Sequence, residues 1–221
     1  MTVVDSLARE VGSVGVLLHK LRDDDWAAPT RCAPMTVKEL VAHVARGAAR
    51  IREMLAQEPL DTQPQKDAIT YFQYDPQAEA PSILARAQSA AAELTTTQLV
   101  QRWDEDWVHA LNGAREALAT GDPVLPTIFG SMRLSEYLRT RIVEVTVHHM
   151  DLDDALGKTP HPDAGAIEAV GDVLRGLLGT DLRPIGIDDV RFALTGTGRA
   201  PLTDQEKAYL GPLANTFPLL A

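Results

Sequence analysis

The stretch that most constrains the fold is residues 133–157, RLSEYLRTRIVEVTVHHMDLDDALG. Placed on an α-helix, its apolar residues divide into two rows. The first row contains Leu134, Leu138, Ile142, Val145, Leu152 and Leu156, and the second contains Val143, Val147 and Met150. A helix that is apolar over most of its circumference belongs in the interior of a protein. The pattern therefore predicts a buried helix.

A row of ionisable side chains runs between these two apolar rows: Tyr137, Arg141, Glu144, His148 and Asp151. Burial of an unpaired carboxylate costs several kcal/mol, so Glu144 must be protonated, paired with a cation or bound to a metal. Glu144 and His148 are four residues apart and can present two ligands to one ion. An ion pair between Arg141 and Glu144, with a hydrogen-bonded His148, explains the same pattern, and the row alone leaves both interpretations open.

Composition limits the classes of partner. The 221 residues carry a net charge of -10, and we find no Lys/Arg cluster that could follow a phosphate backbone, so nucleic acid is not expected. No apolar run approaches the roughly 18 residues of a membrane span. Cys32 is the single cysteine, which excludes an internal disulfide and fits a reducing compartment. We expect a cytoplasmic protein, as a monomer or a homodimer.

Three further helical segments precede the buried helix. Apolar spacing predicts a first helix over residues 4–21, a second from the Thr36 capping box to Leu55, and an alanine-rich one over 81–119 that can break at Thr95–Thr97. Residues 1–157 are thus expected to form an antiparallel helical bundle, in which facing helices commonly build metal sites. His43 borders the apolar stripe of the second helix. It is either an ordinary core histidine or a third metal ligand.

Two other segments have readable patterns. The long connection over residues 56–80 carries Tyr71, Phe72 and Tyr74, which either cover a ligand or fix the loop to the bundle. Residues 158–221 are predicted to form a small α+β appendage. It contains a helix over 164–178, a strand over 190–195, a turn at Thr-Gly-Thr-Gly and a second capping box at Thr203.

His19, His109, His149 and the cysteine are expected to have surface or structural roles. His19 and His109 have the pattern of surface residues, and His149 projects about 100° away from His148 on the helix. Cys32 lies beside Pro34 with no assigned base, so a buried structural thiol is favoured over a nucleophile.

Two groups of residues together resemble the mycothiol-dependent maleylpyruvate isomerase family, whose N-terminal domain is a DinB-like four-helix bundle. The similarity covers roughly residues 5–157. The first group is Trp26, Pro29, Thr30, Cys32, Met35, Leu40 and His43; the second is Met132, Arg133, Leu134, Tyr137, Arg141, Glu144, His148 and Asp151. The resemblance implies a mainly α fold and a divalent metal, usually zinc, bound by His43, Glu144 and His148.

The resemblance also implies an activity. Two histidines and a glutamate leave a fourth position open on zinc, as in catalytic sites, and the family places the thiol of mycothiol there. The expected enzyme is a thiol-dependent isomerase or S-transferase acting on a small electrophile such as maleylpyruvate. Arg141 and Asp151 would orient the ligands and balance their charge. A substrate-contacting arginine would come from the C-terminal region, as Arg199 or Arg191.

Two other functions fit the same bundle. A non-catalytic ligand-binding or interaction protein would use the polar row only as a buried ionic network, and metal content distinguishes it from the enzyme. Hydrolysis by a metal-bound water would require a general base, and the sequence offers no candidate for it.

Overall fold

The computed structural model describes residues 2–73, 76–183 and 186–220. Its helices, numbered in chain order, are α1 Val3–Leu18, α2 Val37–Leu55, α3 Pro76–Ala92, α4 Thr96–Thr120, α5 Leu134–Ala155, α6 Ala164–Leu178, α7 Asp189–Gly196 and α8 Asp204–Leu210. A two-stranded antiparallel sheet pairs β1 (Val124–Thr127) with β2 (Gly130–Arg133). Among the described residues, no helix is long and apolar enough to cross a membrane.

Helices α1, α2, α4 and α5 form the bundle, and α3 packs on the outside of α2. Their apolar faces meet in one core that includes Leu7, Leu40, Trp103 and Leu138. The close approach of α2 to α4 depends on Gly47, because a Cβ atom there would lie 3.1 Å from the indole of Trp107. The predicted mainly α, DinB-like bundle is confirmed.

The predicted buried helix is α5, and both of its apolar rows are covered. The row that includes Leu138 and Ile142 faces the bundle core, whereas Val143, Val147 and Met150 face a second apolar cluster built with α6 and α7. The polar row of α5 therefore lies between the bundle core and the second apolar cluster.

The start of α5 is fixed by the residues just before the hairpin. The N-cap residue of α5, Arg133, makes no side-chain cap. Asp122 supplies one from a distance, accepting hydrogen bonds from the backbone N–H and the hydroxyl of Ser135 at 2.9 and 2.6 Å. This cap satisfies one of the free N–H groups at the helix start. The hairpin itself was not predicted, because Pro126 inside β1 reads as a loop residue.

The predicted alanine-rich helix is two helices. The chain leaves α3 after Ala92, and Thr95 begins α4 with a reciprocal capping box to Gln98. The possible break at Thr95–Thr97 is therefore real, and its cause is capping by a threonine side chain.

The C-terminal segment packs against α5 and α1 through α6, and α7 packs on α6. The strand predicted over residues 190–195 is wrong, since this segment is α7. Asp188 accepts a hydrogen bond from the backbone N–H of Arg191 at 2.7 Å and starts the helix. Alternation of Val190, Phe192 and Leu194 suggested a strand, but the buried residues Phe192, Ala193, Thr195 and Gly196 follow helical spacing. Within the described part of 158–220, the regular elements are helices.

Candidate metal centre

Two well-defined helices carry the predicted ligands. The capping box that begins α2 is present, with Thr36 and Glu39 bonding each other's backbone N–H groups at 3.4 and 2.7 Å. It sets the register of α2, so that His43 lies two turns in, on the face toward α5. Glu144 and His148 lie in the middle of the 22-residue α5, where backbone hydrogen bonds on both sides hold the helix rigid.

The structure brings His43, Glu144 and His148 together, with one potential ligand atom from each lying within 4.8 Å of the other two. Oε2 of Glu144 is 3.6 Å from Nε2 of His43 and 3.8 Å from Nε2 of His148. Both distances are too long for hydrogen bonds. Ligands that bind one tetrahedral zinc ion at about 2.1 Å are roughly 3.4 Å apart. The spacing therefore suits three donors around a common ion better than it suits direct contact.

Charge around Glu144 keeps the carboxylate ionised. Burial alone would raise its pKa, but the neighbouring His43, Arg141 and His148 outweigh this and hold the pKa of Glu144 below its usual range. With a metal bound in place of the proton on Nε2 of His148, the three donors would be one carboxylate and two neutral imidazoles, a set that zinc accepts readily.

The ring of His148 is oriented from behind by Asp151. The Nδ1 atom of His148 lies 2.9 Å from Oδ2 of Asp151, and the Asp151 carboxylate is buried. Burial would lower the pKa of His148, but hydrogen bonding to Asp151 and the nearby Cys32 raise it to about 10. A carboxylate that holds Nδ1–H leaves Nε2 as the atom facing Glu144, as in carboxylate–histidine–metal arrangements.

Asp151 is the centre of a wider network. Arg199 donates to both of its oxygens, at 2.9 and 2.6 Å, and the thiol of Cys32 donates to Oδ2 at 3.2 Å. Burial would raise the pKa of Asp151, but His148 and Arg199 outweigh it and hold this pKa below its usual range. The Arg199 contact was not predicted, and it links the C-terminal segment to the candidate site across 48 positions of sequence.

Cys32, His148 and Asp151 form a second group of potential ligands. This group is less suited to a cation, because the guanidinium of Arg199 already occupies both Asp151 oxygens and Arg31 lies 3.9 Å from one of them. Cys32 was expected to be buried, whereas it is half-buried and its thiol bonds Asp151. Its inclusion among the family-like residues was the one signal that it lies near the site.

A cavity of about 700 Å³ opens in front of His43, Glu144 and His148. Tyr71, Phe72 and Phe129 form its aromatic wall, with the Tyr71 ring 5.2 Å from that of Phe129. The loop that carries Tyr71 is fixed to β2, since the N–H groups of Gln65 and Lys66 bond the carbonyl of Ser131. Tyr71 and Phe72 therefore lie where either predicted role is possible. Tyr74, the third aromatic residue of that prediction, lies outside the described residues.

Of the three arginines predicted to support the site or contact substrate, Arg141 and Arg199 line the cavity and Arg191 does not. Arg141 lies over the ring of Tyr137 at 4.9 Å and donates to the Tyr71 hydroxyl at 3.4 Å, and it lines the cavity. Arg191 is bound to Glu206 on the C-terminal segment, with an N–O distance of 2.6 Å. Arg199 also lines the cavity while bound to Asp151.

Three other histidines, His19, His109 and His149, lie away from the candidate ligands. His149 bonds the buried carboxylate of Glu10 at 2.7 Å. His19 pairs with Asp104 on the surface, and His109 is exposed. His19 and His109 thus lie on the surface as expected, and the contact of His149 with Glu10 agrees with a structural role.

Comparison with known proteins identifies a family. The family model described as mycothiol maleylpyruvate isomerase N-terminal domain matches residues 7–153, which extend from within α1 almost to the end of α5 and include the three clustered donors. Among curated proteins and among solved structures, the comparison finds no match.

Proposed function

Because the chain belongs to the mycothiol maleylpyruvate isomerase N-terminal domain family, we propose that it is a divalent-metal enzyme that uses a low-molecular-weight thiol to isomerise a small electrophile or to form a thioether with it. Zinc is the proposed metal and mycothiol the proposed thiol. His43, Glu144 and His148 are the proposed ligands.

The observation that carries this proposal is the position of the three donors. They come from two helices, they converge at distances of 3.6 and 3.8 Å, and they face an open cavity of about 700 Å³. A buried ionic network would require neither the cavity nor this spacing. The arrangement therefore favours an enzyme over the non-catalytic binding protein.

A zinc ion held by these residues would supply the Lewis acidity that lowers the pKa of a thiol from about 8.5 toward neutrality. The chain's own residues fix the geometry. Asp151 holds His148 in one orientation, Glu144 contributes the negative charge, and Tyr71 and Phe72 contribute apolar surface to the wall of the cavity.

The proposed reaction balances without a further reactant. Addition of the thiolate sulfur to an activated carbon–carbon double bond forms a C–S bond and leaves a single C–C bond that can rotate. Expulsion of the same sulfur restores the double bond with the opposite geometry and returns the thiol unchanged. If the C–S bond persists and the carbon is protonated, the product is a thioether and the enzyme is an S-transferase.

We also propose that residues 1–157 form the metal-binding unit and that residues 158–221 close one side of its cavity. Thr197, Arg199, Pro218 and Leu219 lie on that wall. The C-terminal segment thereby affects both the shape of the cavity and, through Arg199, the position of Asp151.

The test is metal analysis followed by calorimetry. Protein purified without added metal should contain about one divalent ion per chain. Mycothiol should then bind with release of a proton, measured in two buffers of different ionisation enthalpy, since the free thiol is protonated at neutral pH. An analogue without sulfur should bind far more weakly. Equal binding of that analogue, or of mycothiol to metal-free Glu144→Gln protein, would show that a metal does not activate the thiol.

A further inference from the structure

The cavity in front of the candidate metal ligands has a charged side and an apolar side. The charged side is formed by α2 and α3, whose ionisable residues on the wall are Arg46, Arg50, Glu53, Glu79 and Arg86. The apolar side is formed by α5 and the C-terminal segment, with Val143, Val147, Pro218, Leu219 and Leu220. The candidate ligands come from α2 and α5, so they lie where the two sides meet. A ligand bound there therefore faces charged groups in one direction and apolar groups in the other.

The apolar side is part of the second apolar cluster. Val143 and Val147 each precede a candidate metal ligand by one residue, and both are buried members of that cluster. Leu219 and Leu220 pack against it. Their backbone is fixed, since the N–H groups of both leucines donate to the carbonyl of Gly196 at 2.7 and 2.9 Å. A preformed apolar wall thus lies directly beside Glu144 and His148.

The polar side chains on this side of the cavity are already bound to the protein. Each of the three nitrogens of the Arg199 guanidinium donates a hydrogen bond: two go to the carboxylate of Asp151, at 2.9 and 2.6 Å, and one to the carbonyl of Thr197, at 2.7 Å. The hydroxyl of Thr197 donates to the carbonyl of Ala193 at 2.5 Å. An anionic ligand beside Arg199 would therefore compete with Asp151, and against the leucines it would lose hydration without replacement.

We propose that the apolar side binds the electrophile and that this electrophile is uncharged and apolar, such as an alkyl- or aryl-substituted α,β-unsaturated ketone. Burial of its hydrocarbon part against Val147 and Leu219 supplies the binding free energy. The inference rests on the proposed function and selects thioether formation. The sulfur of the thiol bonds to the β-carbon and its proton goes to the α-carbon, so no other reactant is needed. The substrate class differs in charge from maleylpyruvate, the carboxylic acid that the resemblance implies.

The first test uses unreactive probes on the full-length protein, purified with its metal content measured. Methyl propyl ketone, methyl pentyl ketone and hexanoate are titrated, and ligand-observed NMR gives each Kd. Methyl pentyl ketone should bind about 15-fold tighter than methyl propyl ketone, because each of its two extra methylenes contributes about 0.8 kcal/mol when buried. Hexanoate carries the same pentyl chain on a carboxylate and should bind at least about 10-fold more weakly than methyl pentyl ketone.

Three variants show whether the ketone binds at the apolar side. Leu219→Asn should weaken binding of methyl pentyl ketone about 10-fold, whereas the apolar Leu219→Met should stay within about 2-fold of wild type. Leu213→Asn is the matched control, because Leu213 belongs to the same segment but is 39% exposed and does not line the cavity. Thermal unfolding verifies that each variant is folded. The probe series on wild type decides the question even if Leu219→Asn does not fold.

The second test measures the reaction with mycothiol. The protein should accelerate thioether formation with benzylideneacetone, an uncharged aryl enone, more than it accelerates the reaction with maleate, each relative to its uncatalysed rate. Any one of four results would overturn the inference: equal binding of the two ketones, hexanoate binding as tight as that of methyl pentyl ketone, unchanged ketone binding in folded Leu219→Asn, or greater acceleration with maleate.

Failure of the proposed function gives a different result, because ketone binding requires neither metal nor thiol. A protein that shows the expected order of ketone and hexanoate binding, but contains no metal and consumes no mycothiol with either electrophile, would reject the metal-dependent thiol chemistry. The apolar binding site beside Val147 and Leu219 would remain. A protein that contains metal, binds mycothiol and prefers maleate would reject only the apolar substrate class.

Discussion

The Nδ1 atom of His148 lies 2.9 Å from Oδ2 of the buried Asp151, so one ring nitrogen of this histidine is committed to the protein and the other faces Glu144. Such a carboxylate fixes both the orientation of the ring and the nitrogen that carries the proton. Arg199 binds the same carboxylate from the C-terminal segment and thereby stabilises its charge.

We therefore expect Asp151→Asn to lower zinc affinity by about 10- to 100-fold, the usual effect of losing a residue that orients a metal ligand. Competition with a chromogenic chelator measures the affinity. Asp154→Asn is the control, because Asp154 is on the same helix but is half exposed and pairs with Arg31. Equal affinities in wild type and Asp151→Asn would mean that the contact with Asp151 does not support a metal ligand.

The two adjacent histidines should respond differently to removal. His148→Ala should lose the metal, since one of three donors is gone, whereas His149→Ala should keep it. His149→Ala should instead unfold more easily, by about 3–5 kcal/mol, because the buried Glu10 loses its side-chain partner. Metal analysis and thermal unfolding separate the two effects. Full metal content in His148→Ala would exclude His148 as a ligand.

Replacing Tyr71 and Phe72 one at a time tests whether this loop stabilises the bundle or covers a ligand in the cavity. Tyr71 is 5% exposed and packs against Phe129 and Tyr137, so Tyr71→Ser should cost about 3–5 kcal/mol of stability. Phe72 is less buried, so Phe72→Ser should cost less and should mainly weaken ligand binding. Metal content should be unchanged in both. Unaltered ligand binding in Phe72→Ser would leave this loop with a purely structural role.

Features encoded within a few residues were predictable from the sequence. The capping boxes at Thr36 and Thr203 are present, and the periodicity of α5 correctly separated its two apolar rows from the polar row. Each depends on local hydrogen bonding or on helical spacing, which the sequence shows directly.

Features that depend on contacts between distant segments were not predictable. No sequence pattern indicates that Arg199 binds Asp151, or that the Asp122 carboxylate caps the start of α5. The strand predicted over 190–195 failed because Asp188 caps the first turn of a helix there. The buried face follows helical spacing through Phe192, Ala193, Thr195 and Gly196, not the apolar alternation. The clustering of His43 with Glu144 required the packing of α2 on α5, which periodicity alone does not define.

The ion pair between Arg191 and Glu206 predicts how acid affects the C-terminal segment. Two hydrogen bonds from Arg191, at 2.7 and 2.6 Å, together with the capping contact at Thr203, lower the pKa of Glu206 from 4.5 to about 2. A carboxylate whose pKa is lower in the folded state than in the unfolded state stabilises the folded protein at pH values above its unfolded-state pKa. This contribution disappears as the pH falls through its folded-state pKa. The stabilisation should therefore be complete above about pH 5 and should decline from about pH 4.5 to pH 2.

Thermal unfolding of wild type and Glu206→Gln across this range measures it, and any loss of bound metal in acid affects both proteins alike. The difference between their melting temperatures should be largest near pH 6 and should shrink in acid. A difference that stays constant from pH 6 to pH 2 would show that Arg191 does not stabilise the ionised form of Glu206.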